Sequence, residues 1–292
     1  MFDRLTIRWT MGDFPARRFH PQALVMLATS MVSARNLFPF AQLVVATNSL
    51  TPESQSMVEQ LAYRVGGRVF ECEPWLPRDV VHESEDPGLN NRNCWWKFAP
   101  FRLDPDGHEL VMDNDVVLWR VPRSVQRWLD RDDVWLGNGD LEPGDWTSGR
   151  QSYGTYLSWM DEHFPDVSFS SGMMGWPPGF LPADLPHPYE AAKLRPHYYS
   201  TEQGFLARNW LTYEGRRDIV SWSEVPAVND FNRSKSAHAV MLRCDGAHFS
   251  DHNVGRSTRF TDEFLYPLRD LFPSFPGPAP SWPLRPISLE TP

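Results

Sequence analysis

Two aspartates, one residue apart, stand where an apolar run of the sequence stops. Asp113 and Asp115 follow "HELVM" in the stretch "HELVMDNDVVL", residues 108–118. Two carboxylates held close together raise each other's pKa unless a cation lies between them. Carboxylate oxygens suit Mg²⁺ or Mn²⁺, and the carboxyl edge of a parallel strand is where α/β sheets bind nucleotides. The pair therefore indicates a divalent-metal site that receives a diphosphate, although aspartates at strand ends also serve as plain turn formers.

Two other enzyme classes could use the same aspartates. "VMDNDVV" fits the apolar-run-then-DxDxV pattern of haloacid-dehalogenase-like (HAD-like) phosphatases, in which the first aspartate is a nucleophile. That motif normally follows the first strand of its sheet, whereas about three βα units precede it here, and the acidic pair Asp132 and Asp133 follows it too soon. A nucleotidyltransferase would need a glycine-rich, basic first loop, but "TMGDFPARRFH" has a single glycine.

The elements that must position the aspartates alternate between strands and helices. The periodicity of apolar residues, with proline and glycine at the boundaries, predicts a strand at 5–9, a helix at 21–37, a strand at 41–48, a helix at 52–65 and a strand at 67–73. We expect "HELVMDNDVVLWR" to form a fourth strand, with its aspartates at one end. The pattern indicates an α/β fold with a mostly parallel sheet flanked by helices.

Beyond residue 120 the alternation is weaker. It predicts helices at 122–131 and 200–211, and strands at 133–139, 168–176, within 219–228 and at 237–244.

We predict a single domain over residues 1–265. Its nucleotide-binding half spans 1–120 and its acceptor half 121–265, and a Pro-rich tail follows at 266–292.

Composition narrows the class of protein further. The formal net charge is −9, with no basic cluster, which argues against a nucleic-acid partner. No run of eighteen apolar residues occurs, so we expect no transmembrane segment and a cytoplasmic protein. Three cysteines without CxxC spacing, Cys72, Cys94 and Cys244, indicate buried free thiols rather than disulfides or a thiolate zinc site. The oligomeric state leaves no signal in the sequence.

Five short motifs, taken in order, resemble the metal-dependent GT-A glycosyltransferases of the glycogenin and bacterial family 8 galactosyltransferase type. They are "WWKFAPFRL", "HELVMDNDVVL", "SFSSGMMGW", "STEQGFLARNW" and "AHF", and the resemblance covers roughly residues 1 to 250. It implies a GT-A (Rossmann-like) fold and transfer of a sugar from a nucleoside-diphosphate sugar, UDP by family default, with retention of configuration. The acceptor would be a hydroxyl of a glycan, small molecule or protein. A non-catalytic sugar-binding module is the competing interpretation.

The resemblance implies three metal ligands, Asp113, Asp115 and His248. His252 is a rival for the third position, and His238 lies nearby in the sequence. Two carboxylates and a neutral imidazole would balance the charge of a divalent ion and leave positions open for diphosphate oxygens. Because histidine suits Mn²⁺ better than Mg²⁺, we expect Mn²⁺ at this site.

Lys97 matches the family lysine that reaches the donor. Taken alone, a lysine on an aromatic-rich helix more often extends toward water. Ser171 and Gly172 match the NSG-like turn that contacts the donor, and Ser170 replaces its usual asparagine. This serine keeps a hydroxyl but loses the amide's double hydrogen-bonding capacity. Asn114, between the two metal aspartates, is also expected at the donor.

Glu202 and Gln203 match the acidic residue and the glutamine of a DQG-like helix start. The resemblance places Gln203 near the reacting face of the sugar, with Glu202 on a sugar hydroxyl. A structural interpretation competes: Ser200 or Thr201 as N-cap, with the two residues in the first turn, satisfies the needs of a helix start.

The two ends of the chain supply the remaining candidates. Thr10, Met11 and Asp13 occupy the place where the first strand of the family delivers base and ribose contacts, although ordinary strand-to-loop chemistry explains them equally. The family's C-terminal lysine, which grips the diphosphate, is missing here. Arg256 is the candidate replacement, with Arg259 as a substitute.

Overall fold

The computed structural model describes part of the chain, and all structural statements below concern that part. It comprises residues 4–12, 21–48, 50–72, 97, 100, 102–139, 169–180, 206, 209–228, 236–249 and 260–271.

The described residues form nine strands and five α-helices. The strands are β1 (Leu5–Gly12), β2 (Gln42–Asn48), β3 (Arg68–Glu71), β4 (His108–Met112), β5 (Val116–Leu118), β6 (Val134–Gly139), β7 (Ser170–Trp176), β8 (Arg216–Ser221) and β9 (Gly246–His248). The helices are α1 (Pro21–Leu37), α2 (Pro52–Arg64), α3 (Arg123–Leu129), α4 (Ala237–Arg243) and α5 (Leu265–Leu271), the last preceded by a π-helical turn (Phe260–Phe264). Among these helices, none has both the length and the apolar content needed to cross a bilayer.

Seven strands make one mixed sheet in the order β3-β2-β1-β4-β7-β6-β8. The first four are mutually parallel, β7 is antiparallel to both of its neighbours, and β8 is parallel to β6. The α/β class with a mixed, mostly parallel sheet and flanking helices is therefore confirmed. Parallel strands require crossover connections, and α1 and α2 supply them in the first half of the chain.

The main core lies between this sheet and its covering helices. Leu24 and Leu27 of α1 pack with Ile7 and Trp9 of β1, and all four side chains are buried. The start of α2 is fixed by Thr51, whose side chain accepts a hydrogen bond from the Ser54 backbone N–H, with proline at the first helical position. These local signals explain why the first half of the fold follows the sequence pattern.

The prediction of one continuous strand through "HELVMDNDVVLWR" is wrong. β4 ends at Met112, the chain turns at the aspartates, and β5 pairs with β9 in a separate two-stranded antiparallel sheet. β4 and β5 are both fully buried, and the residues next to the turn, "LVM" and "VVL", are apolar, so hydrophobic pattern alone does not separate two short strands from one long strand.

The predicted strand at 237–244 is also wrong, because residues 237–243 form helix α4. Ser236 caps this helix, its side chain accepting from the Ala239 backbone N–H at 3.2 Å. Alanine, methionine, leucine and arginine are good helix formers, and one β-branched residue, Val240, does not reverse that preference. The apolar run is too short to show a helical period, so the sequence pattern alone does not distinguish a helix from a strand here.

A second, smaller core lies around the two-stranded sheet. Val117 and Phe249 pack there against Phe260, Phe264 and Leu268. Helix α5 thus continues packed structure past residue 265, after which the Pro-rich tail was expected to begin. The proposed division into 1–120 and 121–265 halves stays a prediction.

Cys72 should resist alkylation in the native protein. The residue is fully buried at the end of β3, and burial raises the pKa of its thiol to about 12. In the unfolded chain the thiol ionises near its ordinary pKa of 9.0, so this residue lowers stability as the pH rises through the interval between the two values. Iodoacetamide labelling at pH 8, mapped by mass spectrometry, should modify the partly exposed Cys244 well before Cys72. Equal labelling rates in the folded protein would contradict this burial.

Candidate metal and donor site

The turn between β4 and β5 holds the two aspartates in a fixed geometry. The Asp113 backbone N–H donates to the Gly172 carbonyl at 2.8 Å, which extends the β4–β7 ladder by one residue. The Val116 N–H donates to the Asp113 carbonyl at 3.1 Å, and the Phe249 N–H donates to the Asp115 carbonyl at 2.8 Å. The main sheet thus fixes one aspartate, and the small sheet fixes the other.

Helix α1 is hydrogen-bonded to the same turn. The Trp9 indole N–H donates to Ser30 Oγ at 2.9 Å, and the Ser30 hydroxyl donates to the Val116 carbonyl at 2.5 Å. The Asn114 amide donates to the Ala23 carbonyl at 3.4 Å. Asn114, predicted to contact the donor, therefore ties the aspartate turn to α1 in this structure.

The structure brings Asp113, Asp115 and His248 together. Each offers one ligand atom, and these atoms all lie within 4.8 Å of one another. His248 Nε2 is 3.4 Å from Asp115 Oδ1, and the two residues are only 8% and 4% exposed. The proximity follows from β5 pairing with β9, which sets His248 directly opposite Val116. His238 lies in α4 and is not in this group, and His252 is outside the described residues.

Gly172 makes room for the imidazole of His248. A Cβ on Gly172 would lie 2.7 Å from His248 Cε1 and 2.9 Å from Nδ1, closer than real Cβ atoms approach. The expected NSG-like turn is in fact part of strand β7, so the glycine is needed here for space rather than for turning the chain. Any side chain at this position would push the imidazole away from the aspartates.

Lys97 lies inside the site rather than extending toward water. Its Nζ is 2.7 Å from Asp113 Oδ1 and donates to Ser171 Oγ at 3.0 Å, and the residue is 7% exposed. Lys97, Asp113 and Ser171, which were predicted from three separate motifs, are therefore in direct contact. The structure excludes the interpretation of Lys97 as a surface lysine.

The electrostatics of Asp113 favour a bound cation. Burial raises the pKa of its carboxyl, the Lys97 ammonium opposes that rise, the Asp115 carboxylate adds to it, and His248 lowers the pKa. Asp115 is buried and the Asp113 side chain is 24% exposed, and two carboxylates with one lysine beside them carry more negative than positive charge. The oxygen and imidazole donors, their mutual distances and the space left by Gly172 together fit a divalent metal ion.

A buried charge network that the motif analysis did not identify holds the backbone of Lys97. Arg8, in the middle of β1 and 1% exposed, donates from Nη2 to the Lys97 carbonyl at 2.8 Å and from Nη1 to the Pro100 carbonyl at 2.5 Å. Its Nε is 3.2 Å from Glu109 Oε1, and the Arg102 Nε is 3.3 Å from Glu109 Oε2. Charged residues inside two strands predicted to be buried, "LTIRW" and "HELVM", were the available signal, because buried charges must be paired.

The remaining predicted residues lie farther from this cluster or outside the described part. Thr10 is in β1 with its Oγ1 buried and, among the described residues, without a hydrogen-bond partner, whereas the side chain of Met11 packs in the main core. The other four predicted donor and catalytic positions fall outside the described residues: Asp13, Glu202, Gln203 and Arg256. The same is true of Arg259.

Solved structures share this architecture. A galactosyltransferase, LgtC, determined with donor and acceptor sugar analogs, aligns with a TM-score of 0.59 at 15% identity, covering 95% of this chain and 98% of its own. Mouse xyloside xylosyltransferase 1 aligns with a TM-score of 0.54 at 11% identity, covering 85% and 98%. The chain has the GT-A fold. A bifunctional glycosyltransferase, WbbM, aligns over 89% of this chain and 51% of its own with a TM-score of 0.50 at 12% identity.

The GT-A fold bears on the enzyme classes that the DxD motif left open. No family model matches the sequence, and no curated protein does so either. The structural likeness confirms the GT-A fold that the five short motifs implied. In this fold the aspartates follow β4 rather than the first strand, which does not favour the phosphatase interpretation.

Proposed function

We propose that this chain is a metal-dependent glycosyltransferase that moves a sugar from a nucleoside-diphosphate sugar to a hydroxyl acceptor. One observation carries the proposal: Asp113, Asp115 and His248 converge within 4.8 Å at the carboxyl edge of a GT-A sheet. Ligands in open α/β sheets bind outside the carboxyl ends of the strands, so the cluster lies where a nucleotide would arrive.

The three side chains would hold Mn²⁺, or Mg²⁺ in its place. Two carboxylates and a neutral imidazole balance the charge of the ion, and the imidazole favours manganese. When bound, the ion supplies Lewis-acid stabilisation to the diphosphate leaving group. Gly172 keeps His248 within reach of the two aspartates.

Lys97 would stabilise negative charge on the donor. Its ammonium is buried beside Asp113 and Ser171, so it acts where water screens little and a fixed positive charge has a large effect. Arg8 holds the Lys97 backbone by its carbonyl, which fixes the point from which the lysine side chain extends. A preorganised cation of this kind can neutralise a departing diphosphate without rearrangement of the protein.

The donor nucleotide would lie along the carboxyl ends of β1 and β2. The buried Thr10 hydroxyl lies near this edge, and Asp13 follows in sequence. By resemblance, the nucleotide is UDP, Arg256 grips the phosphates, Glu202 contacts a sugar hydroxyl, and Gln203 lies at the reacting face with retention of configuration. The hydroxyl acceptor would bind to the 121–265 half.

A screen of nucleotide sugars against metals tests the proposal. We expect one nucleotide and its sugar conjugates, among UDP, GDP, ADP and TDP, to raise the melting temperature only when Mn²⁺ or Mg²⁺ is present. At a hundredfold excess over Kd the ligand should add about 2.7 kcal/mol to the free energy of unfolding. Slow metal-dependent hydrolysis of the same nucleotide sugar should accompany the shift. Cleavage of p-nitrophenyl phosphate with no response to any nucleotide sugar would overturn the proposal in favour of a phosphatase.

A further inference from the structure

A buried asparagine, Asn138, lies near the same edge of the sheet as the two aspartates. Asn138 is the penultimate residue of β6 and is 0% exposed, and within the described part of the chain neither its amide nitrogen nor its amide oxygen is bonded. A buried polar group that forms no hydrogen bond lowers the stability of the fold. An amide with both ends unbonded is therefore expected to have a ligand when the protein works.

The strand order places Asn138 at the same edge of the sheet as Asp113 and Asp115. β6 and β4 are both antiparallel to β7, so their carboxyl ends lie at the same edge. Asn138 is paired with Ser170, and two residues further along β7 the Gly172 carbonyl accepts from the Asp113 N–H. The unbonded amide is thus separated from the metal-ligand cluster by a single strand.

The backbone around Asn138 is built irregularly. The register between β6 and β7 shifts between Leu136 and Asn138, and such bulges re-aim a side chain beside active sites. Its two chain neighbours are both glycines, and a Cβ on Gly137 would lie 3.0 Å from Phe169 and from Trp210. Trp210, the last residue of the "STEQGFLARNW" motif, therefore packs against β6 beside Gly137, the residue before Asn138.

We infer that the Asn138 amide binds hydroxyl groups of the transferred sugar. Its N–H donors and carbonyl acceptor match sugar hydroxyls, which both donate and accept. Ser170, directly opposite, offers only a hydroxyl, and that oxygen already accepts from the Gly172 N–H at 3.1 Å. Asn138 therefore contributes the amide that residue 170 lacks. This inference rests on the proposed function and names the residue that distinguishes a nucleotide sugar from the bare nucleotide.

The test compares sugar-dependent binding in two variants. Asn138→Leu keeps the size of the side chain and removes its polar atoms, and Asn138→Ser retains one hydroxyl. Both are titrated calorimetrically with Mn²⁺ and four pairs of probes: UDP against UDP-glucose, UDP-galactose and UDP-N-acetylglucosamine, and GDP against GDP-mannose. The control is Ser124→Ala, because Ser124 is also 0% exposed and its hydroxyl has no hydrogen-bond partner among the described residues, but it lies in helix α3 and outside the metal-ligand cluster.

The expected result is a selective loss of sugar recognition. Asn138→Leu should bind the bare nucleotide as the wild type does, lose about tenfold or more in affinity for the nucleotide sugar, and melt at the same temperature or higher. Asn138→Ser should lie between the two, and Ser124→Ala should match the wild type. Equal affinity of wild type and Asn138→Leu for the sugar conjugates would overturn the role of Asn138 while leaving the proposed function intact. Failure of the wild-type protein to bind these six probes and the ADP and TDP sugars of the screen above overturns both.

Discussion

Replacing Asp115 by asparagine should remove metal-dependent activity without unfolding the protein. The amide is close to the carboxyl group in size and can still contact His248, whose Nε2 lies 3.4 Å from Asp115 Oδ1. It is, however, a poor ligand for Mn²⁺ compared with a carboxylate. Because changes to residues that only support metal ligands already reduce affinity or activity about 10–100-fold, loss of a ligand should reduce turnover by at least about 100-fold. Nucleotide-sugar turnover and the Mn²⁺-induced thermal shift measure the two effects.

A matched control separates ligand loss from general loss of negative charge. Asp245 precedes β9 and pairs with the exposed Arg120 at 2.9 Å, outside the metal-ligand cluster. Asp245→Asn should therefore keep both the thermal shift and the turnover of the wild type. A variant Asp115→Asn that still responds to Mn²⁺ as the wild type does would show that the aspartates serve the turn alone.

Replacing Arg8 by methionine should be the most destabilising single change among those considered. Among the described residues it leaves the fully buried Glu109 with Arg102 as its one charged partner, beside the backbone N–H groups of Leu103 and Asp104. It also removes the donors to the carbonyls of Lys97 and Pro100. Breaking a buried charge network in this way typically lowers the free energy of unfolding by about 3–5 kcal/mol. Urea denaturation measures that loss. The turnover of the folded variant, measured below its melting temperature, should also fall, because the Lys97 carbonyl loses its hydrogen bond from Arg8.

A surface ion pair elsewhere in the protein serves as the control for the effect of burial on stability. Arg127 and Asp218 form a two-pronged pair at 2.9 Å, but Arg127 is 56% exposed at its side chain. Arg127→Met should lower stability by about 1 kcal/mol or less, because water screens the pair. If Arg8→Met were as mild as Arg127→Met, the buried network would not be what fixes Lys97.

The sequence predicts the first half of the fold well, because local signals there agree with the tertiary structure. Pro21 and Pro52 begin helices, Thr51 caps one of them, and long periodic segments separate clearly from short apolar strands. The second half is harder to predict. The 237–243 segment is too short for its period to be counted, and the split between β4 and β5 depends on pairing with β9, more than a hundred residues away.

The candidate site divides in the same way. Motif order brought Asp113, Asp115, Lys97 and Ser171 into one hypothesis, and the fold places them together. Two further features, the bond from Arg8 to the Lys97 carbonyl and the pairing of Asn138 with Ser170, can be predicted only when strand order and register are known. Neither can be read from a linear sequence, because the partner of a buried charge or amide lies on another strand.

The short pairing of β5 with β9 has a consequence for how the protein matures. β5 follows the two aspartates immediately, whereas β9 ends in His248 and is the last strand of the described chain. On the ribosome, the aspartates emerge long before the imidazole that completes their ligand set. Under the proposed function, stable capture of the ion would therefore follow synthesis of the final described strand, and chains that end before it would lack the third ligand.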